Sequence, residues 1–350
     1  MPADIVISTP TPSFLFINVC RIGDTLFVTP AMRAVAAAHP GCHITALAHP
    51  KRAEVLRGLP FVTQVGAISK KTSPWRGWSR IRRYDFAFVY GFDATFVSYA
   101  LRVADHVVAF RQKQLRINRR LYRCIEPPEF QSEHAVLQRL RLPGALGIPP
   151  AGLRLAYSVT LDEFAAARAR LAGDLPPDSG PLIGLQAASF PTKSYRDWPI
   201  EYFAQLAEQV HGQWPHAHFL IYGGREERPR LQWLKDRLKD KSTLYAGRLR
   251  LRETAALMSL TDLYVGVDTG PTHIMSAFDI PLVGLYHCLS SSRLTGPLDH
   301  PKLYVIDHPR LDRNCTEAVP MAEITVESVL EQVRRALREH PPATADRRLA

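Results

Sequence analysis

The 350-residue chain reads as an α/β protein made of two Rossmann-like, doubly wound domains facing each other across a cleft. Three observations predict this class. Short apolar runs of strand length alternate with segments of helical period, which is the signature of βαβ units and parallel sheets. The alternation restarts after a Pro/Gly-rich stretch near the middle. The length also exceeds what a single hydrophobic core usually supports.

The first alternation opens with an apolar run at residues 14–20, followed by a glycine-containing turn at 21–26. Thr29 and Pro30 then read as N-cap and first residue of a helix running to residue 40. Strands at 43–48 and 62–68 flank a helical 50–57, and 84–90 is a further strand. Residues 143–153 are rich in Pro and Gly, a helix covers 161–171, and a second break follows at 173–181. Beyond it the pattern repeats, with strands at 182–186, 218–222, 263–267 and 282–285. Helices are expected at 200–210, 230–238, 252–259 and 271–278. The resulting division is a domain over 1–150, a linker over 151–180 and a second domain over 181–325. An amphipathic helix at 326–340 packs back across the domains.

Composition excludes several classes. Apolar residues make up 46% and charged residues 22%, with 20 Gly and 28 Pro, which is an ordinary globular balance rather than a fibrous or low-complexity one. The formal charge is +11, and all of it falls in residues 1–150, where 20 Lys and Arg meet 9 Asp and Glu. A one-sided field attracts an acidic partner and implies that the two halves bind different things. Cys20, Cys42, Cys124, Cys288 and Cys315 lie far apart with no CxxC pair, which predicts neither a disulfide framework nor a zinc site, and a reducing compartment. The first twenty residues lack a basic n-region and a full apolar signal core. No run approaches the length of about 20 apolar residues that spans a bilayer. A cytoplasmic protein is expected, peripheral on a membrane surface.

In open parallel sheets, ligands bind beyond the carboxyl ends of the strands, so the polar loops there carry the chemistry. The first is Arg21-Ile22-Gly23-Asp24-Thr25, where Gly23 permits a tight turn and Asp24 offers a carboxylate. The second runs from Ala187 to Pro199, with Ser189 followed by the cations Lys193 and Arg196, suited to an anion. The third is Asp268-Thr269-Gly270-Pro271-Thr272-His273, between a strand and a helix, where backbone amides and the Thr269 and Thr272 hydroxyls suit a diphosphate. The sequence contains no GxxxxGK[ST], no GxGxxG after the first strand, no HExxH and no Asp-x-Asp. Phosphate charge therefore falls to protein cations and a helix start, with no metal and no cofactor expected.

Together these loops resemble glycosyltransferase family 9, the ADP-heptose:lipopolysaccharide heptosyltransferases. The opening GDTLFVTPAMRAVAAAHPGC is similar to the family's Gly-Asp-x-Leu-x-x-Thr-Pro-Ala-x-Arg start. Residues 196–199 resemble its Lys-x-Trp-Pro loop, Gly223-Gly224-Arg225-Glu226-Glu227 its Gly-Gly-x-x-Glu turn, and DTGPTH its donor signature. The resemblance implies a GT-B fold and inverting, metal-independent transfer of heptose from ADP-heptose to an acidic lipopolysaccharide core. The acceptor would lie on the first domain and the nucleotide sugar on the second. It implies Asp24 as general base, with Arg196 and Lys193 as the leaving-group cations. Gly23, Thr25, Ser189, Glu227 and residues 268–273 would contact the donor. Three positions depart from the family pattern. Arg196 replaces Lys, Val267 replaces Asn, and Tyr90-Gly91-Phe92-Asp93 stands where Asp-Leu-Gln-Gly is expected.

Two runs, 70–83 and 111–123, hold six cations each and no acid. From them Arg76, Arg80, Arg82, Arg83, Arg119 and Arg120 are the expected acceptor contacts, and both runs suit the anionic inner-leaflet surface. Two rival readings remain: another GT-B nucleotide-sugar enzyme, including an epimerase, or a non-enzymatic nucleic-acid or membrane-surface binder. Nucleic acid is disfavoured, because the aromatics form no RNP-like pattern.

Overall fold

A computed structural model of the chain describes residues 11–78, 83–129, 131–310 and 314–342. The central apolar runs become strands that are buried on both faces, as parallel sheets covered by helices require, while the edge strands β3, β6 and β12 are partly exposed. In the first sheet these are β1 (Ser13–Asn18), β2 (His43–Ala48), β3 (Gln64–Ala67), β4 (Tyr84–Tyr90), β5 (Ala104–Phe110) and β6 (Arg123–Ile125). All pairs are parallel and the order is β3-β2-β1-β4-β5-β6. The second sheet comprises β7 (Leu182–Gln186), β8 (His218–Tyr222), β9 (Ser242–Leu244), β10 (Leu263–Val267), β11 (Leu282–Tyr286) and β12 (Leu303–Asp307). Its order, β12-β11-β10-β7-β8-β9, repeats that of the first sheet. Each sheet thus reverses direction of growth once, between β1 and β4 and between β7 and β10. These are the switch points where open α/β sheets hold ligands.

The chain divides into two compact units between Ser158 and Val159. The first carries α1 (Ile22–Leu26), α2 (Thr29–Ala38), α3 (Ala94–Val103), α4 (Leu115–Asn118) and α5 (Ala135–Gly144). The second carries α6 (Leu161–Asp174), α7 (Ile200–Gln213), α8 (Arg228–Leu238), α9 (Leu251–Met258), α10 (Gly270–Met275), α11 (Ser292–Thr295) and α12 (Val326–Glu339). α12 buries Val326, Val329, Leu330, Val333, Ala336 and Leu337, a 3–4 spaced stripe, against α7 and β10–β12.

Four expectations need correction. Residues 21–26 are not an open turn: Ile22–Leu26 is helical, closed by a bond from the Thr25 amide to the Arg21 carbonyl (2.9 Å). Thr29 is not the N-cap of α2. Val28 takes that place, while the Thr29 hydroxyl donates to the Leu26 carbonyl (2.7 Å) and accepts from the Ala156 amide (2.9 Å). The helix expected at 50–57 shrinks to one 3₁₀ turn, Ala53–Leu56. Finally, Cys288 and Cys315 are joined by a disulfide. They are 27 residues apart, but they follow β11 and β12, which are paired neighbours. Among the described residues no helix is long and apolar enough to cross a membrane.

Candidate functional site

The second unit assembles its site at the β7/β10 switch point. β7 ends at Gln186 and leads into the 187–199 loop, which contains the 3₁₀ segment Pro191–Arg196, while β10 ends at Val267 just before Asp268. The two loops meet in one ion pair, in which Arg196 Nη1 donates to Asp268 Oδ2 at 2.7 Å. His273 Nε2, one turn into α10, lies 3.1 Å from the other carboxylate oxygen. Asp268 is only 1% exposed. Burial pushes its carboxyl up, but the His273 hydrogen bond, the Arg196 charge and the Ser290 hydroxyl outweigh it and hold the group below the usual carboxylate range. A buried carboxylate with two such partners orients them rather than reaching a ligand. Both Asp268 oxygens are thus engaged by side chains of this unit, Oδ2 by Arg196 and Oδ1 by His273.

The loop has its own supports. The Ser189 amide donates to Asp197 Oδ1 (2.7 Å) and its hydroxyl to the Lys193 carbonyl (2.8 Å), so Ser189 closes the loop instead of offering its hydroxyl outward. Asp197 also accepts from Arg230 Nη1 at 2.6 Å. Trp198 is fully buried and anchors the loop's end, its indole donating to the Ile324 carbonyl at 2.8 Å. Tyr195 carries both cations on its ring, Lys193 at 5.2 Å and Arg196 at 5.5 Å from the centroid, and packs edge-on against His287 (4.9 Å). Lys193 Nζ lies 3.5 Å from Glu317, an exposed partner.

Close packing under the 268–273 turn requires a glycine. A Cβ on Gly266 would fall 2.6 Å from the Tyr264 ring and 2.9 Å from the Thr272 hydroxyl. Thr272 is 1% exposed and donates to the Val267 carbonyl at 2.7 Å, so its hydroxyl is spent on the backbone and is not available to a phosphate. Thr269 is the N-cap of α10 and makes no side-chain cap bond. With Gly270 and Pro271 it opens a first turn whose amides have no intrahelical acceptor. Glu227, the N-cap residue of α8, folds its carboxylate over Gly224, where a Cβ would meet it at 2.5 Å.

In the first unit Asp24 lies on α1, just beyond the carboxyl end of β1. Asn18, the last residue of β1, donates to the Asp24 carbonyl at 2.6 Å and fixes the turn. The carboxylate, 40% exposed, accepts from Arg139 Nη2 at 3.1 Å. Arg139 comes from α5, 115 residues away, and was not foreseen. Gly23 and Thr25, the expected donor contacts, are buried, and the Thr25 hydroxyl donates to the Arg21 carbonyl (2.8 Å). Burial and, next, the Asp24 carboxylate push the neighbouring Cys20 thiol up to about 11, which keeps it protonated. In the departing segment, Gly91 takes a positive φ of 95° and Asp93 caps α3, accepting from the Thr95 amide (3.0 Å) and pairing with Lys70 (2.6 Å). Arg76, Arg83, Arg119 and Arg120 are exposed on the same unit, whereas Arg80 and Arg82 lie outside the described residues.

His287, Cys288 and Cys315 bring three ligand-type atoms within 4.8 Å. The sulfurs are bonded to each other, and His287 bonds the Val319 carbonyl and the Leu289 amide through its two nitrogens.

Twin 3-2-1-4-5-6 sheets, each with charged loops at its switch point, are the two Rossmann-like halves of a GT-B fold. The glycosyltransferase family 9 (heptosyltransferase) model matches residues 75–319. The lipopolysaccharide core heptosyltransferase OpsX of Haemophilus influenzae is 22% identical over 283 residues, 78% of each chain. Among solved structures, a family 9 glycosyltransferase from Veillonella parvula superposes with TM-score 0.80 at 18% identity, covering 94% of this chain and 98% of that one. E. coli heptosyltransferase WaaC with ADP gives 0.69 at 17% identity, with 93% and 99% covered. The chain belongs to glycosyltransferase family 9, and its enzyme class is glycosyl transfer, not epimerisation.

Proposed function

We propose that this enzyme moves a heptose from ADP-heptose to a hydroxyl of an acidic lipopolysaccharide core acceptor, with inversion at the sugar C1 and without a metal. The observation that carries the reading is the pair of switch-point constellations. One offers a carboxylate, Asp24, oriented by Arg139. The other offers a guanidinium, Arg196, oriented by Asp268. A single-displacement transfer needs one base for the acceptor proton and one stabiliser for the departing diphosphate. Asp24 takes the proton as the acceptor oxygen attacks C1. Arg196, with Lys193 beside it on the Tyr195 ring, meets the charge that develops on the leaving ADP. Thr269 and the backbone N–H groups of Gly270 and Thr272 take the diphosphate oxygens, and Glu227 takes the ribose hydroxyls. An ADP-bound WaaC structure and the lipopolysaccharide-core role of OpsX support the choice of donor and acceptor. Arg76, Arg83, Arg119 and Arg120 suit the acceptor's carboxylates and phosphates, and Arg80 and Arg82 join them by sequence. We place the reaction in the cytoplasm, at the anionic inner leaflet, with no nucleic-acid partner.

General-base assistance is typically worth about 10² to 10⁴ in rate. Asp24→Ala is therefore expected to lose that much kcat while its affinity for ADP-heptose, read by calorimetry, stays within about twofold. Near-normal turnover would remove Asp24 from the mechanism.

A further inference from the structure

We propose that the first unit docks on an anionic bilayer through an apolar tip formed by Trp75, Trp78 and Leu115 and ringed by cations. The proposal rests on the reading that the acceptor is met at an anionic surface, and it names the contact. Trp75 is 83% exposed, Trp78 72% and Leu115 65%, unusual values for side chains of this size. Trp75 ends a short 3₁₀ turn that follows β3, Ser73–Trp75, Trp78 lies three residues beyond it, and Leu115 starts α4. Trp78 and Arg102 on one side and Gln114 and Arg116 on the other share one depression of ≈ 300 Å³, which sets the two segments side by side.

The turn is held in place before any partner arrives. Arg102 donates to the Ser73 carbonyl at 2.6 Å and the Arg76 carbonyl at 3.1 Å, and its guanidinium covers the Trp78 ring at 4.7 Å. The Trp78 indole N–H is spent on the Pro74 carbonyl (2.7 Å). Two exposed apolar rings are thus presented on a fixed loop, so little ordering entropy opposes their insertion.

The surroundings select the partner. Lys71 and Arg76 on the first segment and Lys113, Arg116, Arg119 and Arg120 on the second are exposed, and neither 70–78 nor 111–123 contains an acid. Asp93, the nearby carboxylate, is held by Lys70 at 2.6 Å. Tryptophan favours the headgroup boundary of a bilayer, and each cation near an anionic leaflet adds attraction. Leu115 separates a bilayer from a nucleic acid. An exposed aliphatic side chain gains from hydrocarbon and has no π-face for a base to stack on.

The test is co-sedimentation of the full chain, without donor, with vesicles of phosphatidylglycerol and phosphatidylethanolamine and with vesicles of phosphatidylcholine alone. Wild type is expected to bind the anionic vesicles and to bind the neutral ones far less. The Trp75→Ser/Leu115→Ser variant is expected to lose about tenfold or more of the vesicle affinity, while Trp75→Phe, which keeps an apolar ring, retains it. Transfer to a water-soluble acceptor sugar should be unchanged in both variants. Equal vesicle binding by wild type and the double variant would overturn the proposal, as would equally tight binding of wild type to single-stranded RNA. Failure of sugar transfer with the vesicle pattern intact would strike the reaction and leave the docking surface standing.

Discussion

Arg196 and Lys193 stand three residues apart on one loop, yet the structure gives them unequal holds. Arg196 is locked to a buried carboxylate, whereas Lys193 faces Glu317, which is 63% exposed at its side chain, across 3.5 Å. A surface pair of that kind is worth about 1 kcal/mol or less. A preorganised donor at a developing charge contributes more, about 2.7–4 kcal/mol where one has been removed. Arg196→Ala is therefore expected to cut kcat about 10² to 10³ fold, and Lys193→Ala less than about tenfold. Steady-state kinetics on the two variants settle the order, and a larger loss for Lys193→Ala would reverse the assignment. No local sequence pattern reveals Arg139 as a partner of Asp24. It lies in a helix just ahead of the Pro/Gly-rich stretch, and its contact with Asp24 spans 115 residues. The three polar loops were legible because each directly follows an apolar strand. Which hydroxyls they spend internally, those of Thr25, Ser189 and Thr272, depends on backbone carbonyls whose positions no local pattern reveals.

Among the elements, strands were most legible where an apolar run ended at a turn residue or a charge. His43–Ala48, Tyr84–Tyr90, Leu182–Gln186, His218–Tyr222 and Leu263–Val267 fall where those runs lie. β5 escaped because α3 passes into it with no break: Ala104 is both the C-cap of the helix and the first residue of the strand. Its polar Asp105 and His106 also interrupt the apolar pattern. α6 shows how an element is tied in. Thr160 and Glu163 form a capping box, and the Glu163 carboxylate receives a two-pronged hydrogen bond from Arg252 on α9. The Arg252 hydrogen bond, against a smaller opposing effect of burial, brings the Glu163 carboxyl down to about 2. The unfolded chain binds this proton near the ordinary carboxyl value and the folded chain only near 2. The pair's stabilisation is thus complete above pH ~4.5 and fades as pH falls toward ~2. Glu163→Gln is expected to cost about 1 kcal/mol at neutral pH, discounted for partial exposure. The gap between the two melting curves should close on acidification, and a constant gap would show that the charge is not what holds α6 to α9.

Across the whole molecule, two units share one strand order but differ in charge, as the proposed division between acceptor and donor requires. The excess of cations belongs to the first unit, with its exposed arginines and its aromatic tip, while the second invests its few buried charges in one switch-point cluster. Twin sheets were legible from the restart of the strand and helix alternation after residue 181. The division between Ser158 and Val159 falls within the expected 151–180 linker, and its first residues stay with the first unit because Arg33 on α2 reaches the carbonyls of Ala151 and Arg154 at 2.9 and 2.6 Å. The most direct test is the mass of a lipopolysaccharide core acceptor, with the NMR coupling of its new linkage, after incubation with the enzyme and ADP-heptose in EDTA. The expected product has gained one heptose, undiminished by the chelator and joined with inverted anomeric configuration. No gain from ADP-heptose alongside transfer from another nucleotide sugar, or a gain that appears only when a divalent metal is restored, would contradict it.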